Sequence, residues 1–358
     1  MNIPPQSVSD KPSNITDKHD FTALDSWSET LQALAAIKGV SDICVNNLGR
    51  VRLKGRGAYL SPPLNEKLIG PRGWSELCQV IHPEAPDLAP GENYREDGCS
   101  IGYQRLRVSR VRATFGEEFT LRVLPRVAPK PEDLLLPPDL VDRFVQLKSG
   151  LVLFAGSTGN GKSTSIASLL VENAKRRPVR VVTIEDPVEF EFQDLPNGSS
   201  FTSISVGPHT ATFASALKRA LRMHADIIMV GEIRDSDEAE VALEASLTGV
   251  KVVSTIHGQD VGSAMQRMGD LVAEIGSSGA GALAMALSIC VAQQLLYPAN
   301  QRRAVVPIHE ILTWNQSISS KIRGGRYGHL KQDIEVGTNE GMQLFEQSRL
   351  KRIAAGML

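Results

Sequence analysis

The rhythm of apolar and polar positions changes once along the chain, near residue 130. Before that point the pattern is mixed. Leu31, Leu34, Ala35 and Ile37 recur at helical spacing and predict a helix over 26–38 that ends at Gly39. Short strand-like runs follow at Asp42–Asn46 and Val51–Lys54, then a helix over Gly73–Ile81 stopped by Pro83. Two more strands, Arg105–Ala113 and Phe119–Leu124, are joined by a tight turn at Gly116. The expectation is an α+β module over 21–125. It is preceded by a disordered tail over 1–20, which has few large apolar groups and carries Pro4, Pro5 and Pro12.

Pro125-Arg-Val-Ala-Pro-Lys-Pro131 and Pro137-Pro138 fix φ and remove backbone donors, so 126–139 reads as a semi-rigid linker. After it, Leu151–Phe154, Val179–Ile184, Asp226–Val230 and Val250–Ile256 are short continuous apolar runs, suited to strands buried on both faces of a parallel sheet. Helical stretches lie between them at Lys162–Lys175, Thr212–Met223 and Asp235–Leu247. The last opens on a capping box, Asp235 with Glu238, and stops at Gly249. This alternation predicts an α/β domain over 140–358. No charge occurs between Ile275 and Gln301. Its apolar part, Gly281–Ala292, is too short to span a bilayer and predicts a buried helix.

Composition changes this picture little. A chain of 358 residues suits two domains, and 42% hydrophobic content suffices for full cores. With 39 basic and 40 acidic residues the net charge is −1, which argues against broad nucleic-acid or anionic-membrane binding. Cys44, Cys78, Cys99 and Cys290 form no CxxC pair, so neither zinc nor a redox couple is expected. They read as reduced thiols of a cytoplasmic protein. Residues 1–20 have no apolar signal-peptide core.

The chemistry is concentrated in four places in the second part. Gly156-Ser157-Thr158-Gly159-Asn160-Gly161-Lys162-Ser163 matches the P-loop pattern in full, between a predicted strand and a predicted helix. Its glycines let backbone N–H groups face phosphates, and the helix N-terminus adds positive potential. Lys162 would supply a point charge to the β/γ-phosphates and Ser163 a hydroxyl to Mg²⁺. These eight residues and Thr164 are the candidate ATP contacts. Thr183-Ile-Glu185-Asp186-Pro187-Val-Glu189-Phe190 places three carboxylates at a strand's C-terminal end, where α/β sheets put their chemistry. Asp226-Ile-Ile-Met-Val-Gly231-Glu232-Ile-Arg234-Asp235 has the form of a Walker B strand, with Gly231 where many ATPases have Asp. Glu232 would reach the water shell of Mg²⁺. Val252-Val-Ser-Thr255-Ile-His257-Gly258 is a third such strand, with Thr255 and His257 at its tip and His257 the candidate to sense the γ-phosphate. The candidate metal set is Ser163, Glu185 and Glu232.

Together these motifs resemble the secretion-ATPase family that includes PilT, PilB, GspE and DotB. The carrying residues are the P-loop, the Asp box at 184–190, the Walker B run at 230–235 and the His box at 254–257. The likeness continues in Gln293-Gln-Leu-Leu296 and in Glu340–Gln347. The resemblance implies a homohexamer whose subunits have a PAS-like N-terminal domain, a linker and a RecA-like ATPase domain. It also implies docking on the cytoplasmic face of an inner-membrane secretion or pilus complex, without direct nucleic-acid binding. It makes Glu189 the carboxylate that activates water, Glu232 the Walker B acid and His257 the His-box residue.

Arg105, Arg107, Arg110 and Arg112 crowd one predicted strand, and Arg122 lies on the next, on the face opposite Phe119, Leu121 and Val123. A solvated edge strand explains such a pattern by itself. The family, however, places arginines here against the γ-phosphate, which makes Arg107, Arg112 and Arg122 candidates for that role. Several departures weaken a standard pilus-retraction assignment: Gly249-Val250 where Gly-His is common, Met223-His224-Ala225 where Gln-Asp-Pro is frequent, and Gly258-Gln-Asp260 after the His box. They favour a DotB-like ATPase of type IVB secretion or conjugation, with pilus retraction next. Two other classes share part of the pattern. A RecA-like DNA translocase is disfavoured by near-neutral charge and by the lack of a basic–aromatic stretch. A non-hydrolysing assembly scaffold is disfavoured by intact Lys162, Glu189 and Glu232.

Overall fold

The structure, a computed structural model, describes residues 20–37, 39–55, 58–84, 86–125, 127–207, 210, 212–276, 278–298 and 305–358. The predicted tail lies outside these residues apart from Asp20. The chain divides into two units at Arg126/Val127.

The first unit runs α1 (Trp27–Ala36), β1 (Asp42–Asn46), β2 (Val51–Gly55), β3 (Ala58–Leu60), α2 (Gly70–Ile81), β4 (Tyr94–Ile101), β5 (Gln104–Ala113) and β6 (Gly116–Leu124). Its six strands form one antiparallel sheet in the order β3-β2-β1-β6-β5-β4. Ser26 caps α1 by accepting from the Glu29 N–H. Leu31 and Leu34 of α1 and Leu77 of α2 then pack with Ile43, Leu53, Leu106, Val108, Phe119 and Leu121. This is the predicted α+β module. Strand β4 gave no hydropathy signal, because Tyr-Arg-Glu-Asp-Gly-Cys-Ser lies on the sheet edge and only Ile101 is buried.

The second unit runs α3 (Pro138–Gln146), β7 (Gly150–Ala155), α4 (Lys162–Arg176), β8 (Arg180–Glu185), β9 (Ser200–Ser205), α5 (Phe213–Leu221), β10 (Ile227–Val230), α6 (Ser236–Leu247), β11 (Lys251–Ile256), α7 (Val261–Ile275), α8 (Gly279–Ala286), β12 (Leu287–Leu296), β13 (Val306–Thr313), α9 (Gln316–Arg323), α10 (Leu330–Val336) and α11 (Phe345–Ala354). The sheet order is β13-β12-β7-β11-β10-β8-β9. All neighbours pair in parallel except β12 with β13. Alternation along β7 explains its unbroken apolar run. Leu151, Leu153 and Ala155 pack with residues of α5 to α10, while Val152 and Phe154 pack with α3 and α4. The fold is therefore a helix–sheet–helix α/β unit preceded by a small α+β unit, as the alternation predicted. Within the stretch read as linker, Leu134 and Leu136 pack on the α3–α4 side of this sheet, and Pro138 opens α3.

One expectation is corrected. Gly281–Ala292 is not one buried helix: α8 stops at Ala286, Leu287 turns to φ −59° and ψ 127°, and the chain continues as β12. A charge-free apolar run does not separate a buried helix from a strand buried on both faces. The slot between β7 and β13 decides, because it fully pairs a strand containing Ile289 and Val291. Among the described residues, no helix is long and apolar enough to cross a membrane.

Candidate functional site

The P-loop joins β7, an interior strand between β12 and β11, to α4. Two of its glycines are required by close approach. A Cβ on Gly156 (φ +146°) would lie 2.6 Å from the Gln293 carbonyl oxygen, and one on Gly161 (φ +76°) 3.1 Å from Gln293 Nε2. Gly161 is the N-cap of α4 and has no side chain to satisfy the first-turn N–H groups, so the helix end is left open to an anion. Lys162 Nζ donates to the carbonyls of Gly156 (2.6 Å) and Ser157 (3.2 Å). Burial lowers its pKa, while Glu232 and Glu189 act in the opposite direction. A cavity of about 390 Å³ opens beside the loop, lined by Gly161 and Thr164 and by the apolar Leu134, Leu295, Val305 and Pro307.

The loops carrying Glu189, Glu232 and His257 follow β8, β10 and β11, all at the same end of the sheet. At the end of β8, Glu185 is 4% exposed and its Oε2 accepts from the Glu189 N–H at 3.1 Å. Its position is that of a buried brace for the turn carrying Glu189, which is itself half-buried. At the end of β10, Glu232 is held on both sides. Its Oε1 lies 2.9 Å from His257 Nε2, and its Oε2 accepts from Arg234 Nε at 2.8 Å. Arg234 in turn lies over the Phe213 ring. The Walker B and His-box strands are fastened together: Ser254 Oγ donates to the Val230 carbonyl (2.8 Å), Thr255 Oγ1 to the Gly231 carbonyl (2.6 Å), and the Ile233 N–H to the Thr255 carbonyl. Thr255 thus acts on backbone. The expected capping box at Asp235 is half-formed. Asp235 accepts from the Glu238 N–H, but Glu238 reaches back to the Arg234 N–H instead of the cap's own.

The first unit sorts the candidate arginines by face. Arg107 and Arg122 are direct cross-strand partners and share one face. Arg107 pairs with Glu96 at 2.6 Å and Arg122 with Asp42 at 3.0 Å. Arg112 has the opposite strand parity and shares Glu117 with Arg110. Arg110 is 2% exposed, donates to the Pro86 carbonyl and lies over the Phe119 ring, so its charge is spent inside the unit.

Sequence reasoning placed Gln293 in a family-like run but missed its role. Its side chain touches the P-loop although it lies 133 residues from Asn160. The donor set fits Mg·ATP. An uncapped helix N-terminus and a lysine ammonium suit phosphates, and the Ser163 hydroxyl and Glu232 suit a hard cation. Among the described residues, no group of three or more His, Cys, Asp or Glu side chains could hold a metal. A Mg²⁺ ion here would therefore draw most of its oxygen ligands from phosphate and water, which is its usual preference.

Fold and site define an α/β P-loop protein with paired carboxylate loops beside the phosphate cradle. The chain belongs to the Type II/IV secretion system protein family, whose model matches residues 100–340. It is 32% identical over 336 residues to the uncharacterized protein YggR of Escherichia coli (strain K12), covering 92% of this chain and 99% of that one. It is 30% identical over 329 residues to the type IV pilus ATPase PilU of Pseudomonas aeruginosa, covering 89% and 83%. Among solved structures, the pilus retraction motor PilT with bound ADP matches with a TM-score of 0.77 at 27% identity, over 91% of this chain and 92% of that one. The Legionella pneumophila ATPase DotB shares the fold, with a TM-score of 0.69 at 22% identity over 97% and 100%.

Proposed function

We propose that this chain is a Mg·ATP-hydrolysing motor that works as a homohexamer on the inner-membrane base of a type IV pilus or secretion machine. The observation that carries the reading is the convergence of the open α4 N-terminus, Lys162 and the Glu232–His257 pair at one end of one sheet. Phosphates would lie on the P-loop N–H groups and Lys162, with the purine against the apolar cavity beside Thr164. Mg²⁺, when bound, neutralises phosphate charge. Ser163 and Glu232 would hold it, with Glu185 acting through Glu189 instead of as a ligand. Glu189 would orient and deprotonate the attacking water, and His257 would report the γ-phosphate to Glu232. Arg107 and Arg122 would form the better finger pair because they are cross-strand partners on one face, whereas Arg112 lies on the opposite face.

Two finer readings differ in the machine served. Likeness to PilU and to PilT favours pilus retraction, the reading we adopt. The altered residues at Met223-His224-Ala225, Gly249-Val250 and Gly258-Gln-Asp260 favour DotB-type secretion or conjugation. The test has two arms. Purified wild-type protein should turn over Mg·ATP, and Glu189→Gln should lose about 10²–10⁴-fold in rate, the usual range for a general base. Equal rates would remove Glu189 from the chemistry, and no turnover by wild type would favour the scaffold reading. In cells, deletion should abolish pilus retraction while leaving substrate transfer intact; the reverse result would select the secretion reading.

A further inference from the structure

Gln293 stands directly opposite His309 in the β12–β13 ladder and at the back of the P-loop. Its Nε2 donates to the Asn160 carbonyl at 2.6 Å. Its Oε1 receives the Ser165 hydroxyl at 2.7 Å and lies 3.2 Å from His309 Nε2. These partners determine the orientation of the amide. A carbonyl only accepts, so the amide nitrogen must face Asn160 and the amide oxygen must face Ser165 and His309. His309 is then the tautomer with its proton on Nε2. It is fully buried, and burial pulls its pKa down to about 3, so it stays neutral. The histidine is itself anchored: its N–H donates to Ser348 Oγ on α11, and Gln343 Nε2 donates to its carbonyl. The backbone of Gln293 completes the fit, because its carbonyl occupies the space a Cβ on Gly156 would need.

We infer that Gln293 is a positioning residue that holds the P-loop in its phosphate-ready shape, with Ser165 and His309 locking its amide. Five of the contacts above converge on one buried side chain or its histidine partner, and two glycines of the loop are shaped around the same residue. A loop whose work is to present N–H groups at fixed angles needs a rigid backing. The open N-terminus of α4 supplies no such backing itself. The inference rests on the reading of this loop as a nucleotide site.

The experiment uses the full chain with Gln293→Glu and Gln293→Leu. A deprotonated Glu keeps the acceptor for Ser165 and His309 but turns an oxygen toward the Asn160 carbonyl. A protonated Glu restores the donor. ADP affinity of Gln293→Glu relative to wild type should therefore worsen with rising pH, reaching about tenfold or more at pH 9, as for loss of one buried hydrogen bond. Gln293→Leu should be weakened to a similar degree at every pH. Lys162, whose ammonium lies on Gly156, and His309, influenced by Arg352, face the same region. Both are present in wild type, so the ratio isolates position 293. Without nucleotide, amide hydrogen exchange in 156–165 should speed up in both variants while the rest of the sheet is unchanged. Wild type failing to bind ADP would sink the nucleotide reading, and exchange would still judge the brace. Wild-type binding with both variants within twofold across pH, and with unaltered exchange, would overturn it. So would loosened exchange spread over the whole second unit, because Gln293 would then be an ordinary core residue.

Discussion

Lys251 opens the strand that ends in the His box, and it is 1% exposed. Its Nζ donates to the Phe144 carbonyl at 2.6 Å and to Asn173 Oδ1 at 2.7 Å, and it lies 4.4 Å from the centre of the Phe144 ring. Burial, with Arg177 adding repulsion, lowers its pKa to about 7. In the unfolded chain a lysine titrates near 10.4. Below about pH 7 the lysine is charged in both states and the cost of burying that charge is fully present. As pH rises from about 7 to about 10.4, the folded state has released the proton and the unfolded state still holds it. Stability therefore increases with pH across this window. At 1.36 kcal/mol per unit, with the folded lysine half-deprotonated at pH 7, the gain between pH 7 and 9 is about 2 kcal/mol. The two acceptors and the ring offset part of the desolvation, so this is an upper bound. Lys251→Met removes the titration. Urea denaturation of both proteins from pH 6.5 to 9.5 checks it, because subtracting the two stability curves cancels every group they share. The difference should tilt by ~1–3 kcal/mol over this range, with wild type gaining on the variant as pH rises. A flat difference would refute the depressed pKa and the view of Lys251 as a buried, partly desolvated amine.

Two further outcomes follow from the geometry. Arg122→Ala should leave ADP binding intact and lower ATP turnover by roughly 10³-fold if Arg122 acts as a finger. Its ion pair with Asp42 is half-exposed and worth about 0–1 kcal/mol, so the melting curve should barely move; parental turnover would end the finger role. Asp260→Ala should cost ~1 kcal/mol in urea denaturation. It removes the acceptor for the Ser263 N–H at 2.7 Å, in a reciprocal capping box that begins α7 just after the His box.

The phosphate loop, its strand–helix setting, the two acid-tipped strands and the His-box strand were all legible in the sequence, because each is a local property. Glycines at fixed offsets, an apolar run and a terminal acid declare themselves within ten residues or so. The α+β and α/β division followed from the same periodicities. Strands β4 and β9 were not legible, since edge strands with polar sequences carry no burial signal. Tertiary structure alone made 287–296 a strand, by offering a slot between β7 and β13. It alone set Arg107 directly across from Arg122, since strand register decides which side chains are neighbours. And it alone brought Gln293 beneath Asn160, a contact made by sheet order across 133 residues of chain. Local sequence determines which groups a segment can offer; the packing of distant segments decides which of those groups meet.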